Sequence, residues 1–393
     1  NRYVGTEKDK IAYIGTETPE TDFGEVYDGK NKLLMPAFFN AHAHSPMMLM
    51  RGYGENLTLQ DWLNTRIFPF EDKLTSEAVY YATLLAMAES LRFGIVSSSD
   101  MYYFCDDMVR AKANISRSIT SFAEGSVKNN DSYREAEALI RDYHGAAEGR
   151  ILIDASIHAE YTNTVTSITE VADLAKKYGV NMHVHVSETK QEHEECKARH
   201  GGRTPAQLLC DLGAFDTRTT AAHCVWAEEE DIEIFSEKGV TVATCPVSNL
   251  KLASGVCNVP ALMKKGVNVA VGTDSVASNN SLNFIEEMKF FALLNKERRN
   301  DPTLITPKET LRAAARAGAL SQGREDCGVL AVGRKADLTV LDIGQPHMRP
   351  VHNLANNIVY SASGSDVVLT MADGRVLYRD GDFLTIDVEK AAA

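Results

Sequence analysis

Two histidines spaced two residues apart follow a long apolar run near the start of the chain. The run covers residues 33–41 and leads directly to His42 and His44. Side chains two apart on a strand point to the same face, so both imidazoles would converge on one point just past the strand. Two neutral imidazoles in this arrangement make half of a metal site, but an isolated pair is as often accidental. The interpretation therefore depends on whether further ligands follow.

Three more short apolar runs end at residues that could complete such a site. One contains His185 and continues to Glu188, the second ends at His223, and the third ends at Asp274. Residues scattered by chance would fall mostly in loops rather than at the ends of apolar runs. Four such coincidences predict a metal-dependent catalytic centre.

Eight strand-like segments alternate with helical stretches through the middle of the chain. They cover residues 33–41, 94–99, 114–120, 151–157, 180–186, 219–222, 240–244 and 267–272. This alternation predicts a (β/α)₈ barrel, in which the active groups lie at the carboxyl ends of the strands. Every candidate residue named above lies at such an end.

Two of the intervening helices have clear start and stop signals. Thr75 opens a helical run that stops at Gly94. Ser167 and Glu170 resemble a capping box before a second helix, which stops at Gly179. Both patterns are typical of helix ends and support the alternation of strands and helices.

The two ends of the chain have a different pattern from its middle. Short alternating strands are predicted at 10–15, 336–341 and 367–378, and Asp373-Gly374 is a hairpin signal. We expect a small β-sandwich domain made from residues 1–32 and 326–393, with the barrel of residues 33–325 inserted between its two parts.

Composition excludes several classes of function. The 393 residues include 44% hydrophobic and 24% charged residues, with a net charge of −13 and a mean hydropathy of −0.22. These values are typical of a soluble globular protein. The acidic balance and the lack of a basic run argue against nucleic acid as a partner. No apolar stretch approaches the length needed to span a membrane, and the first residues do not resemble a signal peptide.

The seven cysteines indicate a reducing environment. Their number is odd, they are widely spaced, and no Cys-x-x-Cys pair occurs. This usage fits free thiols better than a disulfide framework or a structural zinc site. We therefore expect a cytoplasmic enzyme with a small-molecule substrate.

The chain resembles the amidohydrolase superfamily along its whole length. Within that superfamily it is most similar to the S-adenosylhomocysteine/5′-methylthioadenosine deaminase branch, which also contains triazine hydrolases. The resemblance is carried by segments 40–47, 49–52, 61–63, 69–72, 185–189, 222–224, 248–252, 272–280 and 332–338.

The resemblance implies one divalent metal ion held by His42, His44, His185 and Asp274. Three imidazoles and one carboxylate suit Zn²⁺, and Fe²⁺ or Mn²⁺ are alternatives by ligand type. Binuclear relatives use a carboxylated lysine on the fourth strand, but segment 151–158 contains no lysine. This difference favours a single ion.

The resemblance also implies the catalytic roles. Glu188 would take a proton from the attacking water and pass it to a ring nitrogen of the substrate, which it would therefore contact. His223 would orient the water and stabilise charge, and Asp274 would accept a proton besides binding the metal. His183 shares a face with His185 but lies one layer deeper, so we expect it to pack inside the barrel.

Substrate binding is predicted on the same basis. Glu71 matches the acid that binds ribose hydroxyls, His158 matches a purine-contacting histidine, and Trp62 lies in a matching segment. Arg134 aligns with one arginine that binds the homocysteine carboxylate of S-adenosylhomocysteine. The second such arginine falls at Phe122, which favours a less charged nucleoside such as 5′-methylthioadenosine or adenosine.

Three functions stay open at this point. The favoured one is a hydrolytic deaminase that releases ammonia from C6 of an adenosine derivative, and we expect a homo-oligomer. A second is a hydrolase of another aminated heterocycle, such as a pterin, a guanine-like base or a triazine, which would have no ribose for Glu71 to bind. A third is a catalytically silent binding or assembly protein, which the complete set of candidate residues argues against. The chain lacks the Cys-x-x-Cys signature of the zinc deaminases that act on bases in nucleic acids.

Overall fold

A computed structural model of the chain describes residues 2–109 and 114–393. Residue 1 of the predicted end domain and residues 110–113 of the predicted barrel lie outside this described part. The strands of the described residues, β1 to β15, are Tyr3–Glu7, Lys10–Gly15, Lys32–Pro36, Phe38–Ala43, Ile95–Tyr102, Asn114–Ile119, Leu152–Ala159, Met182–Val186, Thr219–His223, Thr241–Thr244, Asn268–Val271, Leu338–Asp342, Val367–Ala372, Arg375–Arg379 and Asp382–Phe383.

Eight parallel strands, β4 to β11, form the barrel, and each strand pairs with its neighbour in chain order. A parallel bridge between Ala43 and Asp274 brings the last strand next to the first. Across this junction the backbone N–H groups of Thr273 and Asp274 donate to the carbonyl oxygen of His42, at 3.2 and 3.0 Å. The structure confirms the predicted (β/α)₈ barrel. Its closure brings residues more than 200 positions apart in sequence into contact.

Helices connect the barrel strands. The α-helices of the described residues, α1 to α18, are Leu59–Trp62, Phe68–Glu71, Ser76–Arg92, Cys105–Val109, Asp131–Tyr143, Ala146–Gly149, Val165–Tyr178, Lys190–Arg199, Pro205–Asp211, Glu229–Lys238, Pro246–Lys251, Val259–Lys264, Val276–Asn279, Phe284–Arg299, Pro307–Arg312, Gly318–Ser321, Leu354–Tyr360 and Val388–Ala392.

The two predicted helix starts have different outcomes. Thr75 caps α3 as expected, because its hydroxyl accepts from the N–H of Ala78. The capping box expected at Ser167 and Glu170 is wrong. Helix α7 begins three residues earlier, where Thr164 and Ser167 form the box. The sequence signal failed because serine takes the position that an acid usually holds in a capping box.

The apolar run 33–41, predicted as one strand, forms two strands. β3 pairs antiparallel with β12, whereas β4 enters the barrel. The prediction of a single strand is wrong because β3 is mostly half-buried and β4 fully buried, yet both are apolar, and an apolar pattern does not reveal that the chain changes sheets after Pro36. The exact domain boundaries stay a prediction.

Both ends of the chain build a separate antiparallel unit. A five-stranded sheet has the order β15-β14-β13-β12-β3, and the pair β1-β2 packs on it through buried Ile11 and Leu338. Asp373 and Gly374 connect β13 to β14 with φ of +48° and +72°, which confirms the hairpin. A β-carbon at Gly374 would lie 1.8 Å from the carbonyl oxygen of Lys8, so only glycine fits there.

No helix among residues 2–109 and 114–393 is long and apolar enough to cross a lipid bilayer.

Candidate metal centre and active site

Four side chains predicted to bind a metal meet at the carboxyl end of the barrel. Nε2 of His44, just beyond β4, lies 3.3 Å from Nε2 of His185 on β8. It also lies 3.2 Å from Oδ1 of Asp274, which follows β11. Nε2 of His42 lies 3.5 Å from the same carboxylate oxygen. Three imidazole nitrogens and one carboxylate oxygen therefore face one shared space.

Hydrogen bonds on the far side of two rings fix which nitrogen faces this space. Nδ1 of His44 donates to the carbonyl oxygen of Met101, and Nδ1 of His185 donates to that of His158, both at 2.6 Å. A carbonyl oxygen only accepts, so the ring proton lies on Nδ1 and Nε2 keeps its lone pair. Outer partners of this kind are typical of histidines that bind metals.

His42 has a different outer partner. Its Nδ1 lies 3.0 Å from Nε2 of His183. His183 is fully buried, as expected, but the sequence did not predict this contact with a candidate ligand. If Nδ1 of His42 donates to His183, Nε2 of His42 keeps a lone pair. That Nε2 is buried and has no hydrogen-bond partner among the described residues, which fits a ligand atom.

The two carboxylate oxygens of Asp274 have different partners. Its Oδ2 accepts hydrogen bonds from the hydroxyls of Ser248 and Ser278, which leaves Oδ1 facing the imidazoles. Burial opposes ionisation here, but the imidazoles of His42 and His44 hold the pKa of Asp274 well below its usual range. The side chain is therefore ionised at neutral pH, as a metal-binding carboxylate must be.

The charge states at this centre suit a metal. Burial lowers the pKa of His42 to about 4 and the pKa of His185 well below its ordinary value, so both rings are neutral at pH 7. Burial would lower the pKa of His44 too, but its contacts with Asp274 and Met101 together outweigh burial and raise this pKa to about 8, so a metal ion would displace a proton from this ring. Neutral imidazoles and an ionised carboxylate are the forms that bind metal ions. Three nitrogens and one oxygen fit a single divalent ion, and Zn²⁺ prefers this set of donors.

Glu188 and His223 lie beside the candidate ligands. Glu188 follows β8 and is buried, and its Oε2 lies 3.9 Å from Nε2 of His223. Nδ1 of His223 is 2.8 Å from Oδ1 of Asn249, which holds the ring in place. Burial raises the pKa of Glu188. An acid with a raised pKa is suited to accept a proton and then donate it.

The backbone is strained at the strand ends that carry these residues. Ser187, His223 and Asp274 have φ of +48°, +70° and +60°, in the left-handed region that non-glycine residues rarely adopt. Such strain costs free energy and is characteristic of active sites, where it sets the direction of a side chain. The strain lies at the ends of β8, β9 and β11, next to the candidate catalytic groups.

A cavity of about 610 Å³, part of it open to solvent, leads to this centre. Trp62 and Glu71 contribute to its wall from the segment of α1 and α2, and Tyr102 and His158 contribute from β5 and β7. Burial raises the pKa of Glu71 to about 7, an effect that the neighbouring Tyr102 hydroxyl partly offsets.

Comparisons with known proteins agree with this geometry. The model of the amidohydrolase family matches residues 33–377. The chain belongs to the amidohydrolase family. A 5-methylthioadenosine/S-adenosylhomocysteine deaminase of Caldanaerobacter subterraneus subsp. tengcongensis is 41% identical over 99% of this chain and 91% of its own length. A 5′-deoxyadenosine deaminase of Methanosarcina mazei is 39% identical over 98% of this chain and 90% of its own.

A solved structure is similar to this amidohydrolase over the full chain. It is an adenosine deaminase from Xanthomonas campestris with bound zinc, and it is 30% identical in sequence. The TM-score is 0.91, and the match covers 100% of this chain and 91% of that one.

Most of the predicted site residues of this amidohydrolase come together, but one does not. Trp62, Glu71, His158 and Glu188 all line the cavity. Arg134 does not line it. Its side chain is exposed on α5 and makes a 3.4 Å hydrogen bond to Asn129. The role of Arg134 in substrate binding stays a prediction.

Sequence reasoning missed several residues that support the site. Ser248 and Asn249 belong to a segment that carries the family resemblance, but their contacts with Asp274 and His223 depend on the fold. Tyr102 ends β5, so the rule that active groups lie at strand ends could have identified it. His183 had a signal in its spacing from His185, although its partner on β4 is distant in sequence.

Proposed function

We propose that this amidohydrolase is a hydrolytic deaminase of adenosine derivatives that depends on one divalent metal ion, most simply Zn²⁺. The observation that carries the proposal is the convergence of His42, His44, His185 and Asp274 beside the buried acid Glu188. The relatives at about 40% identity over the full chain support the substrate class, because their names are those of adenosine-derivative deaminases.

The reaction would replace the C6 amino group with oxygen, so that water and the nucleoside give an inosine derivative and ammonia. A bound divalent ion lowers the pKa of a water molecule from 15.7 toward about 7, which supplies a nucleophile at neutral pH. Glu188 accepts a proton from the water and delivers it to the purine ring nitrogen next to C6, and Asp274, in the role that the resemblance implies, would accept the second proton, which leaves on the departing amino group as ammonia. Nδ1 of His223 donates to Asn249, so its Nε2 would orient the water and, once it carries a proton, stabilise the negative charge that develops on the attacking oxygen.

Three cavity residues would recognise the nucleoside. The Glu71 carboxylate accepts hydrogen bonds from the two ribose hydroxyls, a charge-assisted arrangement that a free base cannot provide. His158 contacts the purine, and the indole of Trp62 covers the apolar part of the cavity. We expect the 5′ substituent to be small and uncharged, because Arg134, the predicted partner of a substrate carboxylate, does not line the cavity.

A panel of substrates tests this proposal. Ammonia release would be measured for adenosine, 5′-deoxyadenosine, 5′-methylthioadenosine and S-adenosylhomocysteine, with guanine, a pterin and an aminotriazine as the alternatives. We expect at least one nucleoside to exceed every free heterocycle in kcat/KM by tenfold or more, on the order of one well-placed charge-assisted contact. Preference for a free heterocycle would reject the adenosine proposal. A cytoplasmic location, a homo-oligomeric state and the absence of nucleic-acid and membrane partners stay predictions.

A further inference from the structure

The turn that carries Glu188 is held by an acid from the following helix. The carboxylate of Glu192, in the first turn of α8, accepts two backbone hydrogen bonds. Oε1 accepts from the N–H of Ser187 at 2.8 Å, and Oε2 accepts from the N–H of Glu188 at 2.7 Å. Glu192 is only 3% exposed, so water does not compete for either bond.

This arrangement differs from an ordinary capping box. Thr189 caps α8, and its hydroxyl accepts from the N–H of Glu192 at 3.1 Å, as the Thr-x-x-Glu pattern predicts. In the usual box the carboxylate of the acid accepts a hydrogen bond from the backbone N–H of the capping residue. Here the carboxylate also lies near the N–H of Thr189, but it accepts its two short bonds from the two preceding residues, and the second of these is Glu188.

The same sequence pattern elsewhere in the chain makes the usual box. At α15, Thr306 caps the helix, and Oε2 of Glu309 accepts from the N–H of Thr306 at 2.7 Å. The pattern Thr-x-x-Glu therefore does not by itself place the carboxylate against residues that precede the capping threonine. The bond from Glu192 to Glu188 is specific to the turn at the active site.

Other contacts hold the side chain and the carbonyl group of Ser187 but not the N–H groups of the turn. Ser187 has a strained φ of +48°, and its hydroxyl lies 3.0 Å from Nδ1 of buried His193. Its carbonyl oxygen accepts from the N–H of Trp226 at 3.0 Å. Within residues 2–109 and 114–393, the Glu192 carboxylate is the one group that bonds to the N–H groups of both Ser187 and Glu188, and a strained turn persists only when its surroundings determine it fully.

We propose that Glu192 is a positioning residue for Glu188: its carboxylate clamps the two backbone N–H groups of the turn and so fixes the catalytic acid against the substrate. The inference rests on the proposed function, since Glu188 needs positioning only if it transfers protons. Displacing a catalytic group by about 1 Å can cost on the order of 100-fold in rate. Substrate binding, which depends on other cavity residues, would change little.

The test compares Glu192→Gln with the matched variant Glu309→Gln. An amide has one acceptor oxygen, so it keeps one bond of the clamp and places an NH₂ group against the other N–H. For Glu192→Gln we expect kcat for the best nucleoside to fall roughly 10- to 100-fold, with KM within about twofold and the zinc content unchanged. Glu309→Gln keeps one acceptor oxygen, and Gln207 forms the same box with Thr204 at α9, so kcat and the melting temperature should both stay close to the wild-type values.

Three outcomes would overturn the proposal. One is a wild-type kcat in Glu192→Gln with a lowered melting temperature, which would make Glu192 a cap like Glu309. Another is an equal loss of kcat in both variants, and the third is loss of zinc from Glu192→Gln. If Glu192→Gln does not fold, Glu192→Asp takes its place. Its carboxylate is one methylene too short to span both N–H groups, so kcat should fall at least about fivefold, and a wild-type kcat would reject the clamp. A wild-type chain that deaminates no nucleoside would instead reject the proposed function.

Discussion

Nε2 of His223 and Oε2 of Glu188 lie 3.9 Å apart, on the ends of two neighbouring strands of the barrel. The distance is longer than a direct hydrogen bond, so both groups can face a reacting atom that lies between them. The other ring nitrogen of His223 is held by Asn249 at 2.8 Å, and the turn that carries Glu188 is held by Glu192. Both candidate catalytic groups are therefore positioned by buried partners outside the metal centre.

The first prediction concerns Glu188. Replacing it with glutamine keeps the size of the side chain but removes its ability to carry a proton. We expect Glu188→Gln to lower kcat by about 10²- to 10⁴-fold, the usual contribution of a general acid-base group, while zinc remains bound. Steady-state kinetics with elemental analysis of the same sample checks both parts. A variant that retained more than a tenth of the wild-type kcat would assign the proton transfer to another group.

The second prediction is that Glu71 recognises the ribose. Glu71→Ala should raise KM for the best nucleoside by roughly 10-fold or more, because a charge-assisted pair of hydrogen bonds is lost. Adenine, which has no sugar, should show little change in any residual turnover. The comparison of nucleoside and base within one variant is its own control. Equal losses for both compounds would mean that Glu71 supports the cavity wall rather than the substrate.

The third prediction ranks substrates by their 5′ group. Phe122 stands where the resemblance predicted a carboxylate-binding arginine, its side chain is 75% exposed, and Arg134 does not line the cavity. A carboxylate that enters the cavity without a cationic partner is costly to bury, whereas a methylthio or other small uncharged 5′ group carries no charge that needs a partner. We expect kcat/KM for 5′-methylthioadenosine or adenosine to equal or exceed that for S-adenosylhomocysteine. A preference for S-adenosylhomocysteine that disappears in Arg134→Ala would reverse this ranking.

The fourth prediction concerns stability and pH. Glu287 is 1% exposed, and burial raises its pKa to about 8 from an ordinary value of 4.5, although the Val247 N–H and the Asn279 amide partly offset this. Between these two pKa values the folded chain holds a proton that the unfolded chain has lost. The free energy of unfolding therefore falls as the pH rises from about 4.5 to 8. Glu287→Gln should remove this pH dependence, which totals on the order of a few kcal/mol between pH 4.5 and 8. Chemical denaturation at pH 5 and pH 8 measures it, and an unchanged pH dependence in the variant would assign it to other groups.

The sequence predicted those parts of the site that topology alone brings together. His42, His44, His185 and Asp274 each follow an apolar run, and a parallel barrel places the ends of all its strands at one face. The residues that orient them were not predictable in this way. His42 and His183 were both noted in the sequence, but their contact was not predicted. It joins two strands that lie far apart in sequence.

Other features could not be predicted because the same local sequence pattern occurs with two different structures. The run 33–41 is apolar throughout, yet it changes sheets after Pro36, since both sheets bury apolar side chains. Thr189 with Glu192 and Thr306 with Glu309 follow the same pattern, yet of these two acids only Glu192 bonds to the candidate catalytic residue Glu188. For the run 33–41 the deciding partner is β12, which is distant in sequence, whereas for Glu192 it is the adjacent turn at Ser187 and Glu188.

The central claim is that one divalent ion, held by His42, His44, His185 and Asp274, supports deamination of an adenosine derivative. The most direct measurement is a zinc titration of chelator-treated protein, in which ammonia release from 5′-methylthioadenosine and bound zinc are followed together. We expect no turnover in the treated protein, full recovery at one zinc per chain, and reduced occupancy in His185→Ala. Turnover that survives removal of the metal, or recovery that requires two ions per chain, would contradict the account.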